Sequence, residues 1–371
     1  MRDFASSVVV DLLHTVGPML NARSLQMVVI PLAFAGCVEA ANDDVITAPD
    51  RIAGCTETTL APDARLTGVW IAPSGAVWAV GDGGLVGRRT PSADDAWQWC
   101  QAATNVDLSS IWGAADDDLW ITGAAGTVLR WRGDSFDPIA VGTTADLSAV
   151  WGSGATNVFV VGDGGIARHY DGATWATADV TADELGAVWG ANAKDVWIGG
   201  QRRTTTTTPG GGQLNGCTAS LHRWNTTTRT FTLEQSFPQE HGACGILGIG
   251  GSSASDVWAV GTEFPAGAAA SFAFAAHLDG GAWSRATPPD EDLTIERTYT
   301  DVVARAPGAE DGAWVAATGI SAVRRAGSTW SPADQTTADL LDIDARDAQM
   351  FAVGEDAKIL RWTGAEWLRE Q

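Results

Sequence analysis

Lysine is nearly absent from this 371-residue sequence, which has only Lys194 and Lys358. Lys and Arg together number 23 against 45 Asp and Glu, so the formal net charge is −22. Nucleic-acid binding needs cations that displace phosphate counterions, and this balance argues against it. Tyrosine is as scarce, with only Tyr170 and Tyr299. A sialidase-type site needs a tyrosine nucleophile beside an arginine cluster and an acid, so it has little to draw on. No GxSxG, HExxH or phosphate-binding glycine loop occurs, and no calcium-binding spacing of the EF-hand or nonapeptide kind. A CxxC pair of the zinc or redox type is also missing. No catalytic constellation, cofactor motif or metal site emerges.

Long apolar runs are missing too. The sustained stretch near the start, residues 25–38 (LQMVVIPLAFAGCV), has 14 residues. A helix needs roughly 20 to cross a bilayer. Arg23 precedes the stretch, and small Ala35 and Gly36 lead into Cys37. A basic flank, a short apolar core and small residues at its end make an export signal over residues 1–36, with Met19 an alternative start. FAGC resembles the lipobox of bacterial lipoproteins, in which the cysteine is acylated, although Phe34 stands where Leu is usual. The expectation is lipidation at Cys37, a lipidated terminus and tether over residues 37–54, and a place at the bacterial outer membrane or cell surface. Ordinary signal cleavage, giving a periplasmic or secreted protein, is the alternative.

What the sequence has in quantity is tryptophan, 18 residues, and glycine, 43. Both fall into repeats. One apolar phrase recurs as LTGVW (66–70), LSSIWG (108–113), LSAVWG (147–152) and LGAVWG (185–190). A second follows it as VWAVG (77–81), LWITG (119–123), VFVVG (158–162), VWIGG (196–200) and VWAVG (257–261), with weaker copies at 314–319 and 350–354. Its aromatics, Trp78, Trp120, Phe159, Trp197, Trp258, Trp314 and Phe351, are spaced 42, 39, 38, 61, 56 and 37 residues apart. A period near 40 built from short β-rich runs is the signature of a propeller with one blade per repeat. The expectation is an all-β, seven-bladed β-propeller over residues 55–371, with four antiparallel strands per blade.

Two features repeat within that frame. A basic residue stands ten positions after the second-phrase aromatic: Arg88, Arg130, His169, Arg324 and Arg361. The longer units delay it to Arg223 and His277, which puts their insertions between strands two and three. An acid or amide (Asp118, Asn157, Asp195, Asp256) precedes strand two, so the basic column reads as a structural pairing rather than an anion-binding ring. The tryptophans all sit in repeat registers, which favours packing over a sugar-stacking platform.

Phrases such as AVWGSGATNVFVVGDGG and HYDGATW resemble exported bacterial β-propeller proteins with BNR/Asp-box-like repeats, including myxobacterial-type lipoproteins. The resemblance spans about residues 66–371. Asp-boxes are degraded in RAGSTW and WTGAEW, which lack the Asp. It implies a propeller and leaves function open, because such propellers include sialidases and assembly factors.

Setting Cys37 aside leaves four cysteines, which allow three disulfide pairings. In an up-and-down blade, the two-to-three loops and the links to the next blade leave on one face. That topology pairs Cys55 with Cys100 and Cys217 with Cys244. It also places both insertions, residues 201–220 and 262–276, on that face over blades four and five. TTTTTPGGG (204–212) and the alanine-rich 266–276 read as loops. Long loops on a rigid scaffold are where binding residues concentrate. The candidate partner face is therefore Arg202, Arg203, Glu240, His241, Glu263 and Phe264. The functional expectation is a protein- or glycan-binding or assembly module at the cell envelope, without enzymatic activity or cofactor. A diverged glycan hydrolase or lyase on a propeller scaffold is the alternative.

Overall fold

The repeat phrases form seven sheets, each built from strands consecutive in sequence. A computed structural model describes residues 51–91, 96–180, 182–207, 213–239, 244–263, 271–286, 297–304, 312–319, 321–332 and 339–370. Six sheets have four antiparallel strands, and the first has a fifth, Thr56–Thr58, on its outer edge beside Trp97–Gln101. The inner strands are Leu66–Ile71, Leu108–Ala115, Leu147–Gly154, Glu184–Gly190, Gly245–Ser253, Tyr299–Ala304 and Leu340–Arg346. They pack side by side in that order, and the last lies against the first, closing the ring. The fold is a seven-bladed β-propeller. Cys37 and the export segment lie outside the described residues.

Each phrase has a packing reason. The second strand is buried on both faces, so it reads as a continuous apolar run. Its aromatics Trp78, Phe159, Trp197, Trp314 and Phe351 are fully buried between blades. Its closing glycine lets the inner strand approach: a Cβ on Gly123 would lie 2.4 Å from the Asp107 carbonyl, and one on Gly162 2.1 Å from that of Asp146. The recurring Trp-Gly is a contact between neighbours. Trp70 lies on Gly113, Trp112 on Gly152, Trp151 on Gly190 and Trp189 on Gly251, each where a Cβ would come within 2.3–2.7 Å of the ring.

Every inner strand carries a β-bulge one residue after its first apolar residue, as between Leu108 and Ser110. Thr67, Ser109 and Thr300 occupy that extra position, and each hydroxyl donates to the first carbonyl of the next inner strand: Leu108, Leu147 and Leu340. The bulge thus frees a side chain to stitch blade to blade.

Two boundaries differ from the sequence reading. Residues 51–54, assigned to a tether, pack on the ring: Ile52 is buried with Trp131 and Phe136, and the Trp131 indole donates to the Ala53 carbonyl. The insertions are not simply loops. Strand Val196–Thr207 pairs with Gln213–Asn225 along its length, down to Thr207 opposite Gln213. A run of threonines is β-branched and suits a strand, which outweighs its low-complexity look. In blade five the alanine-rich stretch contributes Phe272–Asp279, with Ala273, Phe274, Ala275 and Ala276 buried. Phe274 meets Phe237 of blade four edge to face, with ring centroids 5.0 Å apart.

Candidate functional site

Disulfides join Cys55 to Cys100 and Cys217 to Cys244. The first fixes the N-terminal strand on blade one. The second ties the raised hairpin of blade four to the link that enters blade five. Among the candidate residues, Arg202 and Arg203 are exposed on that hairpin. The Arg203 guanidinium pairs with Glu184 at 2.8 Å, and its backbone N–H donates to Asp183. Glu263 ends the second strand of blade five and pairs with Arg285, whose guanidinium also lies over Phe274. Glu240, His241 and Phe264 lie outside the described residues.

The same face carries acids that the sequence reading passed over. Asp107, Asp146 and Asp339 each precede an inner strand and accept an N–H from the preceding blade's two-to-three turn: Gly83, Ala125 and Gly319. Asp82, Asp163, Glu184 and Glu355 stand beside them. Partial burial and the charge of Asp107 raise the Asp82 carboxyl. Partial burial, Glu184 and Asp146 raise that of Asp163. Arg65 enters this annulus against Glu355 and Asp82, at 2.8 and 3.6 Å. The face is therefore acidic over blades one to three and seven, and hairpin-raised over four and five.

At the opposite end of blades two to five the basic column is paired. Arg130 makes a two-pronged pair with Asp118 at 2.7 and 2.8 Å, and lies over Trp120. Arg223 pairs with Asp195 and His277 with Asp256, while His169 meets Asn157 and stacks on Phe159. Burial first, and Arg229 second, lower His169 to about 4, so it is neutral at physiological pH. Its Nε2–H then donates to Asn157, and Nδ1 accepts from Arg229. The basic column is a stack of acid, base and ring repeated in blade after blade. It is not a free anion ring.

Along the axis, the inner strands of all seven blades line a cavity of about 310 Å³. Three acids face it from blades six and seven: Asp301, Asp342 and Asp344. Earlier blades put Gly68, Ser110, Ala149, Ala187 or Gly248 where Asp301 and Asp342 stand, and Trp70, Trp112, Trp151 or Trp189 where Asp344 stands. Acids at small or aromatic register positions were the available signal. The strand phrases of blades six and seven had diverged too far for that alignment to be drawn. Asp342 accepts the Val69 N–H at 2.6 Å and Asp344 the Ile71 N–H at 2.7 Å, both from blade one. Asp301 and Asp342 are in hydrogen-bond contact with each other. Burial raises all three carboxyls, and the charge of Asp342 adds to it at Asp301. The groups are half-buried in a channel ringed by protein, which thins the water that would solvate a charge.

No protein-family model matches the chain, and no curated protein matches it. The fold does match solved structures. YCF48 from Cyanidioschyzon merolae aligns with a TM-score of 0.55 at 15% identity, covering 84% of this chain and 99% of that one. A structure titled YCF48 bound to D1 peptide aligns at 0.54 with 13% identity, covering 85% and 99%. At this identity the likeness is one of fold. The Asp-box resemblance gains no support from a family match. The turns between third and fourth strands share a cap: Asp171 of HYDGATW accepts the Ala173 and Thr174 N–H groups, and Asn225 and Thr363 do the same for their own turns.

Proposed function

We propose that this protein is a binding module that captures a polypeptide segment of an envelope partner on the face bearing the raised hairpins. The observation that carries this reading is the asymmetry of that face. Blades one to three turn there in three residues, whereas blades four and five extend paired strands above the ring and brace them with Cys217–Cys244. That the YCF48 propeller is described bound to a peptide supports a polypeptide over a glycan. The acids around blades one to three and seven favour a segment bearing Lys or Arg. The reading includes export, which the two disulfides support, since such bonds persist in oxidising compartments, and it takes Cys37 as the acylated residue.

The test replaces residues 205–215 by a two-residue Asn-Gly turn, which closes the hairpin on the Thr204–Gly216 pair. Capture of the envelope partner by the immobilised domain is expected to fall at least tenfold, with the melting temperature nearly unchanged. Unaltered capture would refute the placement.

A further inference from the structure

The ring has no strand exchanged between its first and last blades, because each sheet is contiguous in sequence. Its closing seam is built differently from the one between blades two and three. Between blades two and three the inner strands meet through neutral groups: Ser109 donates to the Leu147 carbonyl, and the Val150 N–H reaches the Ser110 hydroxyl. Between seven and one, the equivalent N–H groups of Val69 and Ile71 go to the carboxyls of Asp342 and Asp344. Arg346 donates to the Ile71 carbonyl beside them. At the outer end, Arg89 is buried against Glu370 at 3.2 Å, and Glu370 also holds Arg361.

We propose that the seam between blades seven and one is a proton-controlled closure, governed by the Asp301–Asp342 carboxyl pair in the channel. Two carboxylates have acceptors only, so a hydrogen bond between them requires a proton on one. Asp301 holds it and donates to Asp342. Its own Oδ2 accepts the Ile343 N–H, and Asp342 is left to accept from Val69. Removing that proton puts two negative charges side by side, with Asp344 a third on the same strand. The ionisable groups facing the pair are few. The inner strand of blade one contributes none over Leu66–Ile71, and that of blade five none over the Gly245–Gly251 stretch against Asp301. Blade seven contributes Asp344 and Arg346, and Arg346 faces Asp344.

The sign follows from linkage. A carboxyl that holds its proton more tightly in the folded than in the unfolded chain adds stability at low pH, and that stability is lost as pH rises. Asp342 is raised from the ordinary carboxyl range to about 6 and Asp301 well above that range, so the loss sets in once the pH passes about 4, where the unfolded carboxyls ionise, and runs up through the folded values. The seam is tightest in acid and loosens toward neutrality.

Amide hydrogen exchange on the whole chain tests this. Protection at Val69 and Ile71, corrected for intrinsic rates, is expected to fall from about pH 4 upward through about pH 6, by up to about tenfold per pH unit for each proton lost. Protection at Val150, which rests on a serine hydroxyl, should stay level. Asp301→Asn keeps a donor toward Asp342 without the titration, so it should flatten the profile at Val69 and Ile71. Parallel profiles at all three amides in the wild-type protein overturn the proposal, whether or not the variant folds. So does an Asp301→Asn variant that folds and keeps the wild-type pH dependence.

Discussion

At the residue scale, the informative choices are those that reach across a blade boundary. Trp-Gly was legible as the end of a strand, but its reason was not, because the glycine answers to the tryptophan of the preceding blade some 40 positions earlier. Gly113 abuts Trp70 at 2.3 Å and Leu119 at 2.7 Å in terms of an added Cβ. Gly113→Ala should therefore destabilise by about 1–3 kcal/mol, the usual range for overpacking. Urea unfolding measures it, and Trp70→Leu in the same chain should recover part of the loss. A neutral Gly113→Ala would mean that the inter-blade contact is not made. The basic column was legible as a pairing because in blades two to five an acid or amide stands two positions before the second-strand aromatic and a base follows it, even where an insertion delays the base. The channel acids were missed because they occur in two blades only, and a reading built on recurrence discounts what does not recur. The turn between the third and fourth strands shows the reverse. It is capped by Asp171 in one blade and by Asn225 or Thr363 in others, each accepting the corresponding two N–H groups.

At the element scale, strand order and blade boundaries followed from the repeat, and so did the assignment of both insertions to one connection. What did not follow was their conformation. Low-complexity threonine and alanine read as loop, yet in this chain they lengthen existing hairpins, where each added pair is templated by the strand already formed. The pairing of Phe237 with Phe274 then joins two raised elements that the sequence separates by 37 residues. The Cys217–Cys244 bond closes a segment with a separation of 27 residues at the base of this construction. Replacing both cysteines by serine should cost about 2–4 kcal/mol. The loss should concentrate in the blade-four extension, so limited proteolysis should begin cutting within residues 205–215 while blades two and three stay intact. Uniform cleavage across the blades would contradict a local role for this bond.

At the scale of the whole molecule, charge is distributed with a direction. In blades two to five the basic column is matched by an acid or amide at one end, and the acids gather on the face of the raised hairpins. A net charge of −22 announced the excess but not its placement, which depends on the ring bringing together turns and links from distant repeats. The ring itself closes through carboxyls rather than a shared strand, which leaves both faces available. The account rests on one face being the partner site. The most direct measurement is site-specific photo-crosslinking in the envelope of the producing cell, with the crosslinker placed either at Arg202 on the raised hairpin or at Asn192 on the opposite end of the same blade. The account predicts a discrete polypeptide adduct from position 202 and none from 192. Adducts from 192 alone, or equal adducts from both, would contradict it.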